Sequence, residues 1–395
     1  MEILIADKLS EKAVTALEKM GCKVTMNPDL GADDLPGVLD NVEILIVRST
    51  KVTAAAIDSA PLLSLIIRAG AGVNTIDLEE ASSRGIHVAN CPGKNTDAVA
   101  ELAIGHLIAA DRRIVAANND LAAGKWRKKE YQKANGLKGR TLGIIGLGAI
   151  GKAVAKRAKG LEMNVIAWSR SLTEEKAKEL GIGYCAGQDE VAAGADAVSI
   201  HLAAKPDTKH MIDKDFLDKM KDGAILINTA RGEVVDTAAL KAAIEKKKIR
   251  VGVDVYENEP TDGEAVFEDA QLAKIANCTP HIGASTNQAS EAVADEVVWI
   301  VESYRQTGKP ANAVNVQDKS LAIINLVVRH YNRVGVVAGV LDELRNDGVN
   351  VEEMENMIFK GGKAASCTLK LDSKPSDEAV KNIKTGENII QVLLK

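Results

Sequence analysis

The chain has 395 residues, of which 46% are hydrophobic and 27% charged, and its formal net charge is −5. This length exceeds the roughly 100–200 residues expected of one domain, so we predict two or three domains that each bury a core. An acidic chain without a basic domain does not indicate a nucleic-acid-binding surface, whereas small anionic ligands are compatible with local basic clusters.

Short aliphatic runs alternate with helical patterns over the first hundred residues, beginning with the strand Ile3–Ala6 and the helix Glu11–Met20. The alternation restarts at Thr141–Ile145 and continues to Val251–Val255. Strands that alternate with helices indicate parallel sheets covered on both faces. We therefore predict two doubly wound α/β units, a flavodoxin-like substrate domain and a Rossmann nucleotide domain.

Two long helices and a tail of different pattern complete the chain. One helix, from about Thr96 to Val115, joins the two units, and another, Gln288–Tyr304, ends in a Gly and Pro stop signal. Residues 319–395 follow the order β-α-β-β-α-β. This order predicts a small ferredoxin-like domain that is separate from the doubly wound sheets.

The cysteines and the apolar segments exclude several classes of protein. The five cysteines are far apart and never form a Cys-x-x-Cys pair, so we expect buried reduced thiols and no metal site. The first apolar run stops at Asp7 without a basic region before it, so no signal peptide is predicted. The most apolar helix, Ala98–Val115, contains Glu, His, Asp and Arg, which argues against a membrane span. A cytoplasmic enzyme fits these features.

A glycine-rich turn at residues 146–151 predicts dinucleotide binding. It follows the apolar strand Leu142–Ile145 and opens a helix, the context in which backbone N–H groups and a helix N-terminus cradle a pyrophosphate. An ordinary tight turn is the alternative interpretation. The predicted cofactor contacts in this turn are Gly146, Gly148, Ala149, Ile150 and Gly151.

The residues after the second strand of this unit leave the choice of cofactor open. A Rossmann fingerprint places Asp or Glu there, roughly twenty residues beyond the glycines, to bind the adenosine ribose. This chain instead has Ser169, Arg170 and Ser171, which could all contact a 2′-phosphate that a carboxylate would repel. NAD could also bind, with ribose contacts from the serines. NAD and NADP are both retained as cofactor candidates.

Three polar side chains at successive strand ends indicate hydride-transfer chemistry. Arg231 follows the strand Ala224–Asn228 and would grip a substrate carboxylate with its planar fork. His281 would take the hydroxyl proton and Glu259 would fix the tautomer of its ring, as oxidation of a secondary alcohol by a nicotinamide requires. A solvated arginine and a structural histidine are the alternatives.

Further contacts are predicted around the same cleft. Asp254 would face the nicotinamide carboxamide, with a strand-end turn aspartate as the alternative. Cationic loops at Arg48 and at residues 125–130 would suit a phosphorylated substrate, although the second is by default an exposed surface loop. The remaining predicted cofactor contacts are Thr229, Ala230, His281 and Gly283.

The chain resembles the D-isomer-specific 2-hydroxyacid dehydrogenases over essentially its whole length, through residues 47–49, 68–74, 95–101, 146–151, 228–232, 254–260 and 280–286. The resemblance implies the catalytic residues Arg231, Glu259 and His281. The substrate contacts that it implies are Arg48, Ser49, Gly72, Asn95 and Lys128. Lys128 would belong to a loop that reaches across a dimer interface.

The same resemblance implies a domain arrangement and an activity. The substrate domain would be discontinuous, residues 1–93 and 284–316, with the nucleotide domain at 94–283. The implied reaction is oxidation of 3-phospho-D-glycerate to 3-phosphohydroxypyruvate, the entry to L-serine biosynthesis, in a homodimer or homotetramer. An NADPH-dependent glyoxylate or hydroxypyruvate reductase is a second hypothesis, and a non-catalytic nucleotide-sensing protein is a third.

The tail, residues 319–395, resembles an ACT domain, a small amino-acid-sensing module. Its His330, Asn332 and Asn350 match positions that hold L-serine between paired domains in serine-inhibited relatives, and they offer donors and acceptors for an amino acid. Val334 stands where proline is usual, which would loosen the turn. A domain used only for oligomerisation is the alternative to an L-serine effector site.

Overall fold

The computed structural model describes residues 1–260, 265–317 and 319–395. The chain divides into two units, Met1–Asn315 and Val316–Lys395. Among the helices that the structure describes, none combines the length and the apolar character needed to cross a membrane.

Five parallel strands form the first sheet. They are β1 (Glu2–Ile5), β2 (Lys23–Met26), β3 (Ile44–Val47), β4 (Leu65–Arg68) and β5 (His87–Asn90). The helices of this part are α1 (Glu11–Lys19), α2 (Ala54–Asp58) and α3 (Leu78–Ser83). The spatial order β2-β1-β3-β4-β5 confirms the predicted flavodoxin-like sheet. Its central strands are aliphatic and buried on both faces, as is usual when helices cover a parallel sheet.

Three helices lead to the second sheet: α4 (Thr96–Arg112), α5 (Ile114–Ala122) and α6 (Lys128–Tyr131). The prediction of one helix to Val115 missed the break between α4 and α5. Arg113 ends α4 with a left-handed φ of 53°. Its guanidinium pairs with Glu130 at 2.7 Å and lies over the ring of Tyr131. These contacts come from α6, so the local helical pattern does not signal the break.

Seven parallel strands form the second sheet. They are β6 (Thr141–Ile145), β7 (Asn164–Trp168), β8 (Gly183–Tyr184), β9 (Ala197–Ile200), β10 (Ile225–Asn228), β11 (Arg250–Val253) and β12 (Asn277–Cys278). Its helices are α7 (Ala149–Gly160), α8 (Glu174–Leu180), α9 (Gln188–Gly194), α10 (Lys214–Lys219), α11 (Thr237–Lys247) and α12 (Ala270–Ile275). The order β8-β7-β6-β9-β10-β11-β12 confirms the Rossmann sheet. Because the winding reverses between β6 and β9, a ligand crevice is expected at the carboxyl ends of these strands.

The chain then contacts the first sheet again. Helix α13 (Asn287–Thr307) buries Val297, Ile300 and Val301 in a core that also contains Ile3 and Ile5 of β1. Downstream of α13, Ala313 forms an antiparallel bridge with Ala89 of β5. Segments before and after the second sheet therefore share one core. The domain boundaries themselves, at residues 93 and 283, stay a prediction.

The second unit is a four-stranded antiparallel sheet with two helices. Its elements are β13 (Ile324–Tyr331), α14 (Val336–Asn346), β14 (Val351–Ile358), β15 (Ala364–Leu371), α15 (Asp377–Thr385) and β16 (Ile389–Leu394). The spatial order is β14-β15-β13-β16. Alternate residues of β13 and β15 are buried against the two helices, as Leu326 and Leu369 are. The β-α-β-β-α-β order predicted for the tail is confirmed.

Candidate active site

The glycine turn between β6 and α7 has the backbone geometry of a phosphate cradle. Gly146 has a φ of 94°, and a Cβ there would lie 2.5 Å from the carbonyl oxygen of His201, so only glycine fits. A Cβ on Gly151 would lie 2.2 Å from the Gly146 carbonyl oxygen, so this glycine permits the helix to approach the strand. A Cβ on Gly148, in contrast, would meet no described atom within 4 Å, which leaves room for a ligand against the backbone.

The first turn of α7 is open to an anion. Gly148 is the N-cap residue and supplies no side-chain hydrogen bond to the helix, whereas α8 is capped by Thr173 and α11 by Asp236. The first N–H groups of a helix need an acceptor from elsewhere, and they carry the positive end of the helix dipole. A dinucleotide pyrophosphate is such an acceptor, so the residues of this turn fit the cofactor predicted from the sequence.

Three loops that follow adjacent strands form the catalytic edge. Asn228 of β10 pairs with Val253 of β11, which pairs with Cys278 of β12, so the loops after these strands start side by side. Asn228 shapes the first loop, because its side-chain oxygen accepts from the N–H of Ala230 and its amide donates to the Arg231 carbonyl. The strand register thus brings the loops that carry Arg231, Glu259 and His281 to one edge.

Glu259 and His281 form a short hydrogen-bonded pair. His281 Nδ1 lies 2.6 Å from Glu259 Oε2, and the other carboxylate oxygen accepts from the Tyr256 N–H at 2.9 Å. Burial opposes ionisation of Glu259, but the bonds from His281 and the Tyr256 N–H outweigh it and lower the pKa of this carboxyl. An ionised carboxylate can only accept, so Nδ1 carries the proton of the neutral ring and Nε2 has the lone pair. Nε2 has no partner among the described residues.

The backbone at His281 is held in an uncommon conformation. Its φ is 51°, a left-handed value that costs a non-glycine residue about 1 kcal/mol. The N–H of His281 donates to the carbonyl of Asp254 at 2.8 Å. The Asp254 side chain accepts from the N–H groups of Ile282 and Gly283, both at 2.8 Å. These bonds fix the direction in which the histidine side chain leaves the loop.

Asp254 is therefore engaged in its own loop. It is only 1% exposed, and its Oδ1 also accepts from the hydroxyl of Thr279 at 2.6 Å. These are the contacts of a strand-end turn aspartate, the alternative named from the sequence. A contact between Asp254 and the nicotinamide stays a prediction.

Behind Asp254 lies His106, which the sequence did not single out. His106 Nε2 is 3.0 Å from Thr279 Oγ1, and burial lowers the pKa of His106. Because the Thr279 hydroxyl gives its proton to Asp254, it must accept from His106, so Nε2 of the ring is the protonated nitrogen. A buried hydrogen-bonded chain therefore runs from α4 through Thr279 to Asp254.

Arg231 lies beside the first sheet. A Cβ on Gly72 would be 2.9 Å from Arg231 Nη2, so a glycine at 72 leaves the space that the guanidinium occupies. The following residue, Gly232, packs so closely on the backbone of Tyr256 that a Cβ would lie 1.9 Å from its carbonyl carbon. This contact joins the arginine loop to the loop that leads to Glu259.

A second arginine, Arg68 at the end of β4, is the clearest residue that sequence reasoning missed. Burial lowers the pKa of Arg68, and the positive charges of Arg231 and Arg48 lower it further. Its Nε is buried without a hydrogen-bond partner among the described residues. The pocket between β4 and α13 is lined by Lys8, Ser10, Arg48, Arg68, Asn95 and Ser290. Arg68 is the last residue of β4 and Arg48 comes directly after β3, so both arginines lie at the carboxyl ends of adjacent strands, which was a signal available in the sequence.

The loop that carries Arg48 and Ser49 is organised by Asp7. One carboxylate oxygen of Asp7 accepts from the N–H groups of Arg48 at 2.6 Å, Ser49 at 3.0 Å and Thr50 at 3.1 Å. These bonds leave the Arg48 guanidinium to contribute its charge to the pocket. Asp7 was read from the sequence only as the end of an apolar run.

The remaining predicted site residues belong to α6 and to the second unit. Lys128 begins α6, and its side chain is exposed. In the second unit His330 is 1% exposed, with Nδ1 2.8 Å from the Tyr331 carbonyl and Nε2 3.2 Å from Asn356 Oδ1. The amides of Asn332 and Asn350 are exposed and donate to Gly362 and Glu352, respectively.

A Rossmann sheet with an arginine, a glutamate and a histidine at its carboxyl edge defines the class of nicotinamide-dependent dehydrogenases. Residues 104–283 match the model of the D-isomer specific 2-hydroxyacid dehydrogenase NAD binding domain. A glyoxylate reductase from Thermococcus litoralis is 37% identical over 80% of this chain and 96% of the relative. The chain belongs to the D-isomer-specific 2-hydroxyacid dehydrogenase family, and its cofactor domain is of the NAD-binding type.

Other relatives are named for a different activity. The D-3-phosphoglycerate dehydrogenase of Archaeoglobus fulgidus is 39% identical over 80% of this chain, which spans only 59% of that relative. An NAD-bound 3-phosphoglycerate dehydrogenase structure from Entamoeba histolytica superposes with a TM-score of 0.66 at 27% identity, over 80% of this chain and 99% of that one. The chain thus spans about three fifths of the length of such curated phosphoglycerate dehydrogenases.

Proposed function

We propose that the chain oxidises 3-phospho-D-glycerate to 3-phosphohydroxypyruvate with NAD, the first step of L-serine biosynthesis, in the cytoplasm. The observation that carries this proposal is the group of three arginines, Arg48, Arg68 and Arg231. One guanidinium is enough for the carboxylate of a 2-hydroxy acid. Two further cations, one of them half-buried with a buried Nε that has no partner among the described residues, favour a second anionic group on the substrate.

The residues divide the chemistry among them. Arg231 binds the carboxylate and the α-oxygen of the substrate, and His281 Nε2 takes the hydroxyl proton. Glu259 holds the ring and stabilises the positive charge that His281 acquires. NAD, when bound, accepts the hydride that leaves C2 as the hydroxyl is deprotonated. In the reverse direction His281 returns the proton to the 2-oxo group.

Arg68 and Arg48 are proposed to bind the phosphate. Arg68 is pre-positioned, because a Cβ on Gly70 would lie 1.7 Å from its Nη1, so the guanidinium rests directly on the Gly70 backbone. A phosphate would supply the missing acceptor for the buried Nε and relieve the repulsion among the arginines.

A glyoxylate or hydroxypyruvate reductase is the second candidate. Relatives named glyoxylate reductase and hydroxypyruvate reductase match over 96% and 95% of their own lengths, more completely than the phosphoglycerate dehydrogenases do. Steady-state rates with 3-phosphohydroxypyruvate, hydroxypyruvate and glyoxylate separate the two candidates. We expect the highest kcat/KM with the phosphorylated acid. A higher kcat/KM with glyoxylate or hydroxypyruvate would support the reductase function. No turnover of any of the three acids would favour a nucleotide-sensing protein.

A second copy of the chain is the proposed partner. All residues of α5 are described and none is buried, although Ile114, Val115 and Leu121 are apolar and about half exposed. Trp126, in the loop that follows, is 79% exposed. A helix with this composition is stable when another surface covers it. A homodimer or homotetramer would cover α5 and would bring Lys128 to the cleft of the partner subunit.

We also propose that the second unit is an ACT domain that binds L-serine as a feedback inhibitor. Its fold and the exposed amides of Asn332 and Asn350 support the proposal. His330 takes part only if a ligand replaces its bond to Asn356. Inhibition by L-serine that is lost in Asn350→Ala, with unchanged kcat, is the expected result. An unchanged rate at saturating L-serine would leave oligomerisation as the role of this unit.

A further inference from the structure

An ion pair joins the two loops that flank the adenosine half of the nucleotide site. Arg170 follows β7, and its Nη2 lies 2.8 Å from Oδ2 of Asp207, which follows β9. Both loops start beside the glycine turn, because the Gly146 N–H donates to the Trp168 carbonyl at 2.9 Å and His201 abuts Gly146. Arg170 and Asp207 thus meet across the carboxyl end of β6.

The pair lies at the end of the second strand of the Rossmann sheet, where this chain lacks the usual carboxylate. A Rossmann site that binds NAD has Asp or Glu after its second strand, where this chain has Arg170. Asp207 approaches the same place from a different strand. We propose that Asp207 makes the site selective for NAD over NADP, by occupying Arg170 and by presenting a negative charge where a 2′-phosphate would bind. The inference rests on nicotinamide binding in the proposed function but not on the identity of the hydroxy acid.

The charges of Arg170 and Asp207 affect NAD and NADP differently. The bond to Asp207 uses only Nη2 of Arg170, so a 2′-phosphate that bound the other N–H groups of Arg170 would lie next to the negative charge of Asp207. The ribose hydroxyls of NAD carry no charge and can instead donate to Asp207.

The ion pair between Arg170 and Asp207 contributes little to the stability of the fold. Its side chains are 52% and 60% exposed, and exposed ion pairs contribute little to stability. A neutral residue at 207 should therefore change the cofactor preference and leave the unfolding temperature unaltered. The role of Asp207 in cofactor preference can therefore be tested in a variant that still folds.

The test is titration of the intact protein with NADH and with NADPH, followed by nicotinamide fluorescence. Wild type should bind NADH more tightly, and Asp207→Asn should shift the ratio of the two Kd values toward NADPH by roughly ten- to hundredfold, the worth of a charged hydrogen bond. Arg170→Ala should give no such shift, because the carboxylate remains. Asp222→Asn, at an aspartate with an 88% exposed side chain, controls for the change in net charge.

Two outcomes would overturn the inference: tighter binding of NADPH by wild type, or an unchanged ratio in Asp207→Asn. Fluorescence titration needs no hydroxy acid, so the result is independent of whether 3-phospho-D-glycerate is the substrate. If neither reduced cofactor bound, nicotinamide binding itself, and with it the proposed function, would fail. If both bound equally to wild type and to all variants, only the role of Asp207 would be rejected.

Discussion

At the scale of single residues, the two carboxylates at 257 and 259 show how a site distinguishes similar groups. Each bonds a histidine nitrogen at 2.6 Å, Glu257 to His210 and Glu259 to His281. Of these two histidines, only His281 follows one of the strands β10, β11 and β12, whose loops meet at the edge that carries Arg231. Glu257 instead caps α11 through the Thr237 N–H at 2.9 Å. Sequence spacing alone does not separate these roles.

Glu259→Gln is predicted to lower kcat about a hundredfold, because a neutral amide stabilises the imidazolium less than a carboxylate and permits the wrong tautomer. Since the pKa of Glu259 is lowered, its carboxylate stays ionised in wild type as the pH falls through the usual glutamate range. The acid limb of the wild-type kcat profile should therefore not come from Glu259.

Glu257→Gln is the matched control for this experiment, because it alters the same type of pair two residues away. It should leave kcat within about twofold of wild type. Equal losses in both variants would mean that neither pair is specific to the chemistry. The measurement is kcat at saturating substrate and cofactor over pH 5 to 9.

At the scale of secondary-structure elements, the sequence predicted the strands well and the polar links between elements poorly. The aliphatic strands β1 and β6 lie within one residue of their predicted ranges, because period and composition are local signals. The contacts of Arg68, Asp7 and His106 depend on which strand ends come together, and no local pattern carries that information. The end of α4 at Arg113 was missed because it depends on contacts with α6, which no local pattern in the sequence shows.

The glycines of the α7 turn are predicted to differ in their effects. Gly146→Ala should destabilise the protein, because its Cβ would collide with the His201 carbonyl and its φ is 94°. Gly148→Ala should fold normally, since its Cβ meets no described atom within 4 Å, but should weaken NADH binding. Thermal unfolding and NADH titration of both variants check this. Equal stability of the two variants would contradict the assignment of Gly146 to the turn.

Helix α4 is predicted to support the catalytic loop through Thr279. Thr279→Val removes the hydroxyl but keeps the shape, so it leaves the His106 N–H and one acceptor site of Asp254 unpaired. We expect a loss of about 1–3 kcal/mol in the free energy of unfolding and a raised KM for NAD. Unfolding in urea and initial rates measure the two effects. A variant with wild-type stability and KM would show that the chain of hydrogen bonds has no role.

At the scale of the whole molecule, the structure and the relatives confirm the predicted fold class, family and type of cofactor domain. Assembly and regulation are still proposals. The two doubly wound units and the β-α-β-β-α-β tail were predicted from patterns in the sequence and are confirmed by the structure. Contacts that lie between copies of the chain, such as those proposed for Lys128, have no counterpart in a single chain. The order of the elements within each unit was predictable, but the partners of exposed surfaces such as α5 were not.

Two histidines with lowered pKa values are predicted to make the first unit sensitive to acid. Burial lowers the pKa of His201 to about 4 and also lowers that of His106. An unfolded histidine binds a proton near pH 6.5, so between about pH 6.5 and 4 the unfolded chain binds more protons and stability falls as the pH falls. At pH 5 the lowered pKa of His201 reduces the free energy of unfolding by about 2 kcal/mol. Urea unfolding of wild type and His201→Gln at pH 7 and pH 5 measures this effect. The free energy of unfolding should fall less in the variant between the two pH values, and equal falls would contradict the role of His201.

The central claim is that this member of the family acts on a phosphorylated acid, and Arg68 provides its most direct test. The measurement is kcat/KM for 3-phospho-D-glycerate and for D-glycerate in wild type and in Arg68→Met. We predict that wild type strongly prefers the phosphorylated substrate, and that Arg68→Met lowers only that kcat/KM, by roughly ten- to hundredfold. Equal losses for the two substrates, or no wild-type preference for the phosphorylated one, would contradict the claim.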